Sequence, residues 1–147
     1  MPQYEVWSDA SWQPTNGTNK GPAGMAAIII TPSSTRKIII ARDTSSTNCR
    51  AELIAALLGV QEIPISSEFI LYTDSMYVIR CIKGARIIIN LDIAVAFRKL
   101  LATRMCLPVF VKSHSGNTMN NLADHYAKIA VTKGKLIPEE FRLPDYH

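Results

Sequence analysis

The hydrophobic pattern of this chain changes period at Thr47-Asn48, and that single switch constrains the fold more than any other feature. Before it the apolar runs are short and strand-like. Tyr4 to Ser8 is aromatic and β-branched, and Gly24 to Thr31 and Ile38 to Ala41 are separated by the turn-forming Pro32-Ser33-Ser34. The Pro-, Gly-, Asn- and Thr-rich stretch from Ser11 to Gly24 reads as a loop. After the switch the apolar residues fall at helical spacing. Thr47-Asn48 offers an N-cap, and Leu53, Ala56, Leu57 and Val60 repeat up to Pro64. Phe69 to Thr73 then predicts a strand, Ser75 to Lys83 a short helix stopped by Gly84, and Leu91 to Met105 a longer amphipathic helix. Leu107 to Lys112 predicts a strand, and Asn120 to Thr132 a last helix with Gly134 at C′. Three strands with short connections pair antiparallel, whereas strand–helix–strand units pair parallel. The predicted fold is therefore α/β: a mixed five-stranded sheet, antiparallel then parallel, flanked by helices. Residues 1–137 form one domain and 138–147 a tail.

Composition excludes several classes. At 147 residues and 48% hydrophobic, the chain is long enough for one ordinary core and too apolar for intrinsic disorder. No apolar run approaches the ~20 residues of a membrane span, so no membrane partner is expected. The N-terminus lacks the basic and apolar regions of a signal peptide. Cys49, Cys81 and Cys106 are an odd set without a CxxC pair, which argues against a disulfide framework or thiolate zinc site and for a reducing, intracellular compartment. The net charge of +4 permits a polyanionic partner without demanding one, since no block of basic residues occurs.

Four of the twelve acidic residues sit where a carboxylate is costly. Asp9 and Asp74 each directly follow a predicted strand. Glu52 and Asp124 extend the inward stripes of their helices. Each has a structural explanation alone: Asp74 as an N-cap, Glu52 and Asp124 near positive helix ends, Asp9 as an Asx turn. If the two Asp-bearing strands are neighbours, however, all four converge. Clustered carboxylates repel, so divalent cations are the natural compensation, and oxygen ligands point to Mg²⁺ or Mn²⁺.

The segments SDAS around Asp9, TNCRAEL around Glu52, YTDSMYV around Asp74 and VKSHSGNTMNNLAD ending at Asp124 resemble type 1 ribonuclease H, in that family's order and over about residues 4 to 132. The resemblance implies a ribonuclease H-like fold and a metal-dependent endonuclease cutting the RNA strand of RNA–DNA hybrids, with 5′-phosphate and 3′-hydroxyl products. It implies that Asp9, Glu52, Asp74 and Asp124 hold two Mg²⁺ ions, Asp9 bridging them, which clamp both sides of an in-line displacement at phosphorus. His114 stands where the family carries a mobile histidine that moves a proton or aids product release. Thr47 and Asn48 match its pocket for a DNA-strand phosphate, and Ser11 and Ser75 face the hybrid's minor groove.

Three departures bear on substrate grip. Cys49 stands where an Asn or Gln is usual, and a thiol is a poor substitute for an amide in the groove. Met76 follows Ser75 where a polar residue is common. Gly84 to Asn90 is mostly aliphatic where some members carry a basic, Trp-containing handle, so weaker binding is expected, failing sooner as salt rises. The alternative is a non-catalytic nucleic-acid-binding module on the same fold, which retention of all four carboxylates disfavours. A monomer is expected, either free-standing or a domain of a reverse transcriptase polyprotein.

Overall fold

Residues 3–112 and 116–143 are described by the computed structural model. Strands β1 (Tyr4–Trp12), β2 (Gly21–Ile30) and β3 (Arg36–Ser46) form the antiparallel meander. All three are longer than the hydrophobic runs predict. Ser11 and Trp12 pair with Gly24 and Ala23, so much of the expected loop is ladder. The Trp12 indole N–H donates to the Ser46 carbonyl at 2.7 Å, tying the end of β1 to the end of β3. Trp12 thus has a packing role.

Helix α1 (Asn48–Val60) begins at Thr47, whose hydroxyl accepts from the Arg50 amide. Buried side chains occur around most of its circumference, because it lies between the sheet and two further helices. Strand β4 (Glu68–Thr73) returns parallel to β1, with Tyr4 opposite Phe69 and Trp7 opposite Tyr72. Helices α2 (Met76–Ile82) and α3 (Leu91–Leu101) precede β5 (Met105–Phe110), which is parallel to β4. The predicted helix through Met105 ends four residues early, because the Met105 amide leaves the helical ladder to bond the Ser67 carbonyl at 3.0 Å. Helix α4 (Thr118–Lys133) is followed by β6 (Lys135–Leu136), pairing parallel with Ala41 and Arg42 of β3.

The sheet therefore has six strands, ordered β5-β4-β1-β2-β3-β6, not the five predicted. The sixth is two residues long and exists only through its pairing with β3. Beyond it, Ile137 is buried and Glu139–Phe141 makes one 3-10 turn whose Phe141 packs on the core. One sheet face carries the main core, with Val6, Met25, Phe69 and Leu71 under α1, α2 and α3. The other is covered by α4, where Trp7 stacks on Tyr72 at 3.8 Å beside Ile28 and Ala123. Each large apolar side chain so buried contributes ~1.5–3 kcal/mol. Among the described residues no helix is long and apolar enough to cross a membrane.

Two glycines set how close the layers come. A Cβ on Gly24 would lie 2.6 Å from the Val131 amide nitrogen and closer still to the Ala127 carbonyl oxygen, so α4 meets β2 backbone to backbone. A Cβ on Gly59 would strike the Val6 side chain, so the α1 backbone rests directly on that side chain of β1.

Candidate active site

The parallel β1–β4 register builds the first half of the site. Trp7 faces Tyr72, and two residues further along each strand direction stand Asp9 and Asp74. Asp9 lies inside β1, not after it as predicted, because the strand continues to Trp12 through its pairing with β2. Its carboxylate accepts from the Ala10 amide at 2.9 Å. Asp74 occupies the turn between β4 and α2, tightened by a 3.1 Å bond from the Ser75 amide to the Thr73 hydroxyl. The Ser75 hydroxyl caps α2 by accepting from the Val78 amide. This is the carboxyl end of the parallel strands, where open α/β sheets place their ligand sites.

Helix α1 delivers Glu52, and one carboxylate oxygen from each of Asp9, Glu52 and Asp74 lies within 4.8 Å of the others. Asp124 of α4 lines the same cavity but stands outside that tight trio, and its Oδ2 accepts from Lys128 Nζ at 3.0 Å. The fourth carboxylate is thus at the rim and already paired with a cation.

Burial and mutual repulsion dominate the electrostatics. Loss of hydration, followed by the Asp74 charge, pushes the Asp9 carboxyl up to about 7 from an ordinary 3.8, against the opposing Ala10 hydrogen bond. Burial, then the Asp9 and Asp74 charges, hold Glu52 well above the usual carboxylate range. Glu52 Oε2 is buried with no hydrogen-bond partner among the described residues. An orphaned carboxylate oxygen beside two further carboxylates is a donor set suited to a hard divalent cation.

The cavity, of about 520 Å³, is also lined by Asn48, Cys49, Ser75 and Met76 from the predicted contact residues. Ser11 lines a neighbouring cavity with Trp12 and Lys128, while Thr47 serves as the α1 cap. His114 lies outside the described residues. Tyr77 and Arg80 line the cavity and were not singled out from sequence. Their signal was available, since 76, 77 and 80 share one helical face.

Solved structures give the class first. The fold matches LC9-RNase H1, a type 1 RNase H with the type 2 active-site motif, with a TM-score of 0.77 over 88% of this chain and 72% of that one, at 18% identity. A mixed sheet of this order, bearing carboxylates at the carboxyl end of β1 and β4, is the ribonuclease H fold. The chain belongs to the RNase H family, whose family model matches residues 1–132. Ribonuclease H of Granulibacter bethesdensis is 30% identical over 147 residues, covering 88% of this chain and 93% of its own length. That of Neorickettsia sennetsu is 27% identical over 143 residues, covering 87% and 92%.

Proposed function

We propose that this protein hydrolyses the RNA strand of RNA–DNA hybrids with divalent metal ions held by Asp9, Glu52, Asp74 and Asp124, leaving 5′-phosphate and 3′-hydroxyl ends. The observation that carries the proposal is the trio of carboxylate oxygens within 4.8 Å, one of them on a buried Glu52 whose second oxygen has no partner. A family member freed from catalysis gains nothing from burying such a repulsive group. Bound there, Mg²⁺ or Mn²⁺ supplies Lewis acidity at the scissile phosphate and lowers the pKa of the attacking water.

The chain's own residues do the positioning. The Ala10 amide fixes the Asp9 rotamer, and the Thr73–Ser75 turn fixes Asp74. Ser75, Cys49 and Met76 line the wall that faces the hybrid's minor groove, with Ser11 beside it, and Thr47 and Asn48 at the start of α1 take a phosphate of the DNA strand. His114 moves a proton or aids release of the product. Hybrid sequence is not read; shape and 2′-hydroxyls are.

The test uses labelled RNA–DNA hybrid, duplex RNA and single strands, each with Mg²⁺, Mn²⁺ or chelator. Cleavage of the hybrid's RNA strand alone, only with a divalent ion, is expected. Asp74→Asn should lower the rate about a thousandfold or more, some 4 kcal/mol of barrier, with an unchanged circular dichroism spectrum. Wild-type cutting by Asp74→Asn, or cutting in chelator, would overturn the proposal.

A further inference from the structure

Asp124 differs from the other three carboxylates of the cavity in what it already holds. Asp9, Glu52 and Asp74 bring oxygens within 4.8 Å of one another, and none of the three pairs with a cation among the described residues. Asp124 lines the same cavity from α4, outside that trio, and its Oδ2 accepts from Lys128 Nζ at 3.0 Å. Lys128 stands one helical turn further on, so its ammonium reaches Asp124 along the surface of α4. The same lysine also lines a second cavity, of about 410 Å³, where the end of β1 meets α4 and where Ser11, Gln13 and Thr132 stand in the wall. Its side chain is 64% exposed, so packing forces neither position. The ordinary role of such a pair is weak support of its own helix. Helix α4 has stronger support, from the Asn117 cap and from the buried face of Ala123, Ala127 and Ala130.

We infer that Lys128 is a positioning residue: it holds Asp124 at the rim as an internal counter-ion and competes with a divalent cation for that carboxylate. The inference rests on the metal-holding role proposed above for the four carboxylates. An oxygen that accepts from an ammonium offers an arriving cation a like charge in place of a free lone pair. The trio of Asp9, Glu52 and Asp74 faces no such competitor. It therefore fills first, and Asp124 joins only once Lys128 has let go. The released ammonium has acceptors within its own reach, because the Ser11 and Thr132 hydroxyls and the Gln13 side-chain carbonyl belong to the second cavity that Lys128 already lines. Lys128 thus sets the concentration of divalent ion at which the four-carboxylate centre is complete.

The test is Mn²⁺ uptake by the protein without nucleic acid, by isothermal titration calorimetry at about 150 mM KCl, where the screening length is about 8 Å. Asp124→Asn defines the part of the isotherm that depends on Asp124. Lys128→Gln should tighten that part about two- to fivefold, the worth of an exposed ion pair. Lys128→Arg keeps the pairing and should leave it unchanged. On the Asp124→Asn background Lys128→Gln should have no effect. Lys133→Gln should have none either, since the exposed Lys133 lies about 13 Å from Asp124 along α4, beyond the screening length. Metal-free melting temperatures of the lysine variants should agree closely, whereas a merely structural pair would shift them and leave Mn²⁺ uptake alone. An unchanged or weaker affinity in Lys128→Gln, or equal tightening on the Asp124→Asn background or from Lys133→Gln, would overturn the role of Lys128 and nothing else. Identical uptake by the wild type and Asp124→Asn would overturn it together with the place of Asp124 among the ligands. Failure of the wild type to take up Mn²⁺ at all would overturn the proposed function as well.

Discussion

Arg50 and Glu52 stand two residues apart on α1, both buried, at 2% and 8% exposure, yet their surroundings are opposite. The Arg50 guanidinium forks onto Asp92 of α3 at 2.7 and 2.9 Å and donates twice to the Phe141 carbonyl, at 3.0 and 3.3 Å. Its hydrogen bonds hold the Asp92 carboxyl below the usual carboxylate range. Glu52 instead faces two like charges and keeps an unpartnered oxygen. A buried charge with its bonds satisfied joins parts of the fold; one left unsatisfied at the same depth is held for something the chain itself does not contain. The same helix thus contributes α3 and the C-terminal turn to the scaffold with one residue and the cation-seeking centre with another.

The comparison breaks first at Arg50. Arg50→Ala should cost ~2–3 kcal/mol of stability in urea unfolding, because the Phe141 carbonyl loses its donor and a cavity opens, while the exposed Asp92 is taken up by solvent. Hybrid cleavage per folded molecule should fall far less than in Asp74→Asn. Glu52→Gln should do the reverse: activity lost, but the metal-free protein stabilised by ~1–2 kcal/mol at pH 8, with the Mg²⁺-induced rise in melting temperature gone. A destabilised Glu52→Gln protein would show that Glu52 belongs with Arg50.

A smaller effect lies in pH. Folded Asp9 keeps its proton to about 7, against an ordinary 3.8, so between those values the folded chain binds more protons than the unfolded one. Metal-free stability should therefore decline as pH rises from about 4 and level off above about 7, with Glu52 acting in the same direction. Asp92 acts oppositely, its contribution being lost only as pH falls through the acid carboxylate range. Chemical denaturation from pH 4 to 9, with and without Mg²⁺, reads both arms, and Mg²⁺ should flatten the upper one. The smallest change is expected from Cys49→Asn, which supplies an amide at the cavity wall and should raise the preference for hybrid over duplex RNA about two- to fivefold, equal to one hydrogen bond of ~0.5–1 kcal/mol. Equal ratios would remove Cys49 from the groove.

Features that depend on local pattern were legible in the sequence, and those made by distant pairing were not. The switch at Thr47 gives the meander, the crossover helix and the neighbouring strands that bring Asp9 to Asp74. The extension of β1 through Ser11 and Trp12 was not visible, because Ala23 and Gly24 opposite have little strand propensity and owe their conformation to the ladder. Lys135-Leu136 has no strand signal of its own and is recruited by β3. Arg50 looked like one letter of a motif, although its spacing to Leu53, Ile54 and Leu57 already placed it on an inward stripe. The Asp124–Lys128 pair is an i,i+4 spacing open to any reader, but nothing local says that it draws Asp124 toward the rim.

The face-to-face ring pair of Trp7 and Tyr72 makes the apoprotein its own optical indicator. Each ring stands two residues upstream of a carboxylate on the same ladder, so Mg²⁺ titrated into the apoprotein is expected to change indole emission without a dye or label. The second indole, Trp12, is three residues beyond Asp9 at the end of β1, fixed by the Ser46 carbonyl. Replacing it with Phe would leave Trp7 as the one tryptophan, whose emission, excited apart from the tyrosines, should follow ion occupancy before any substrate is added.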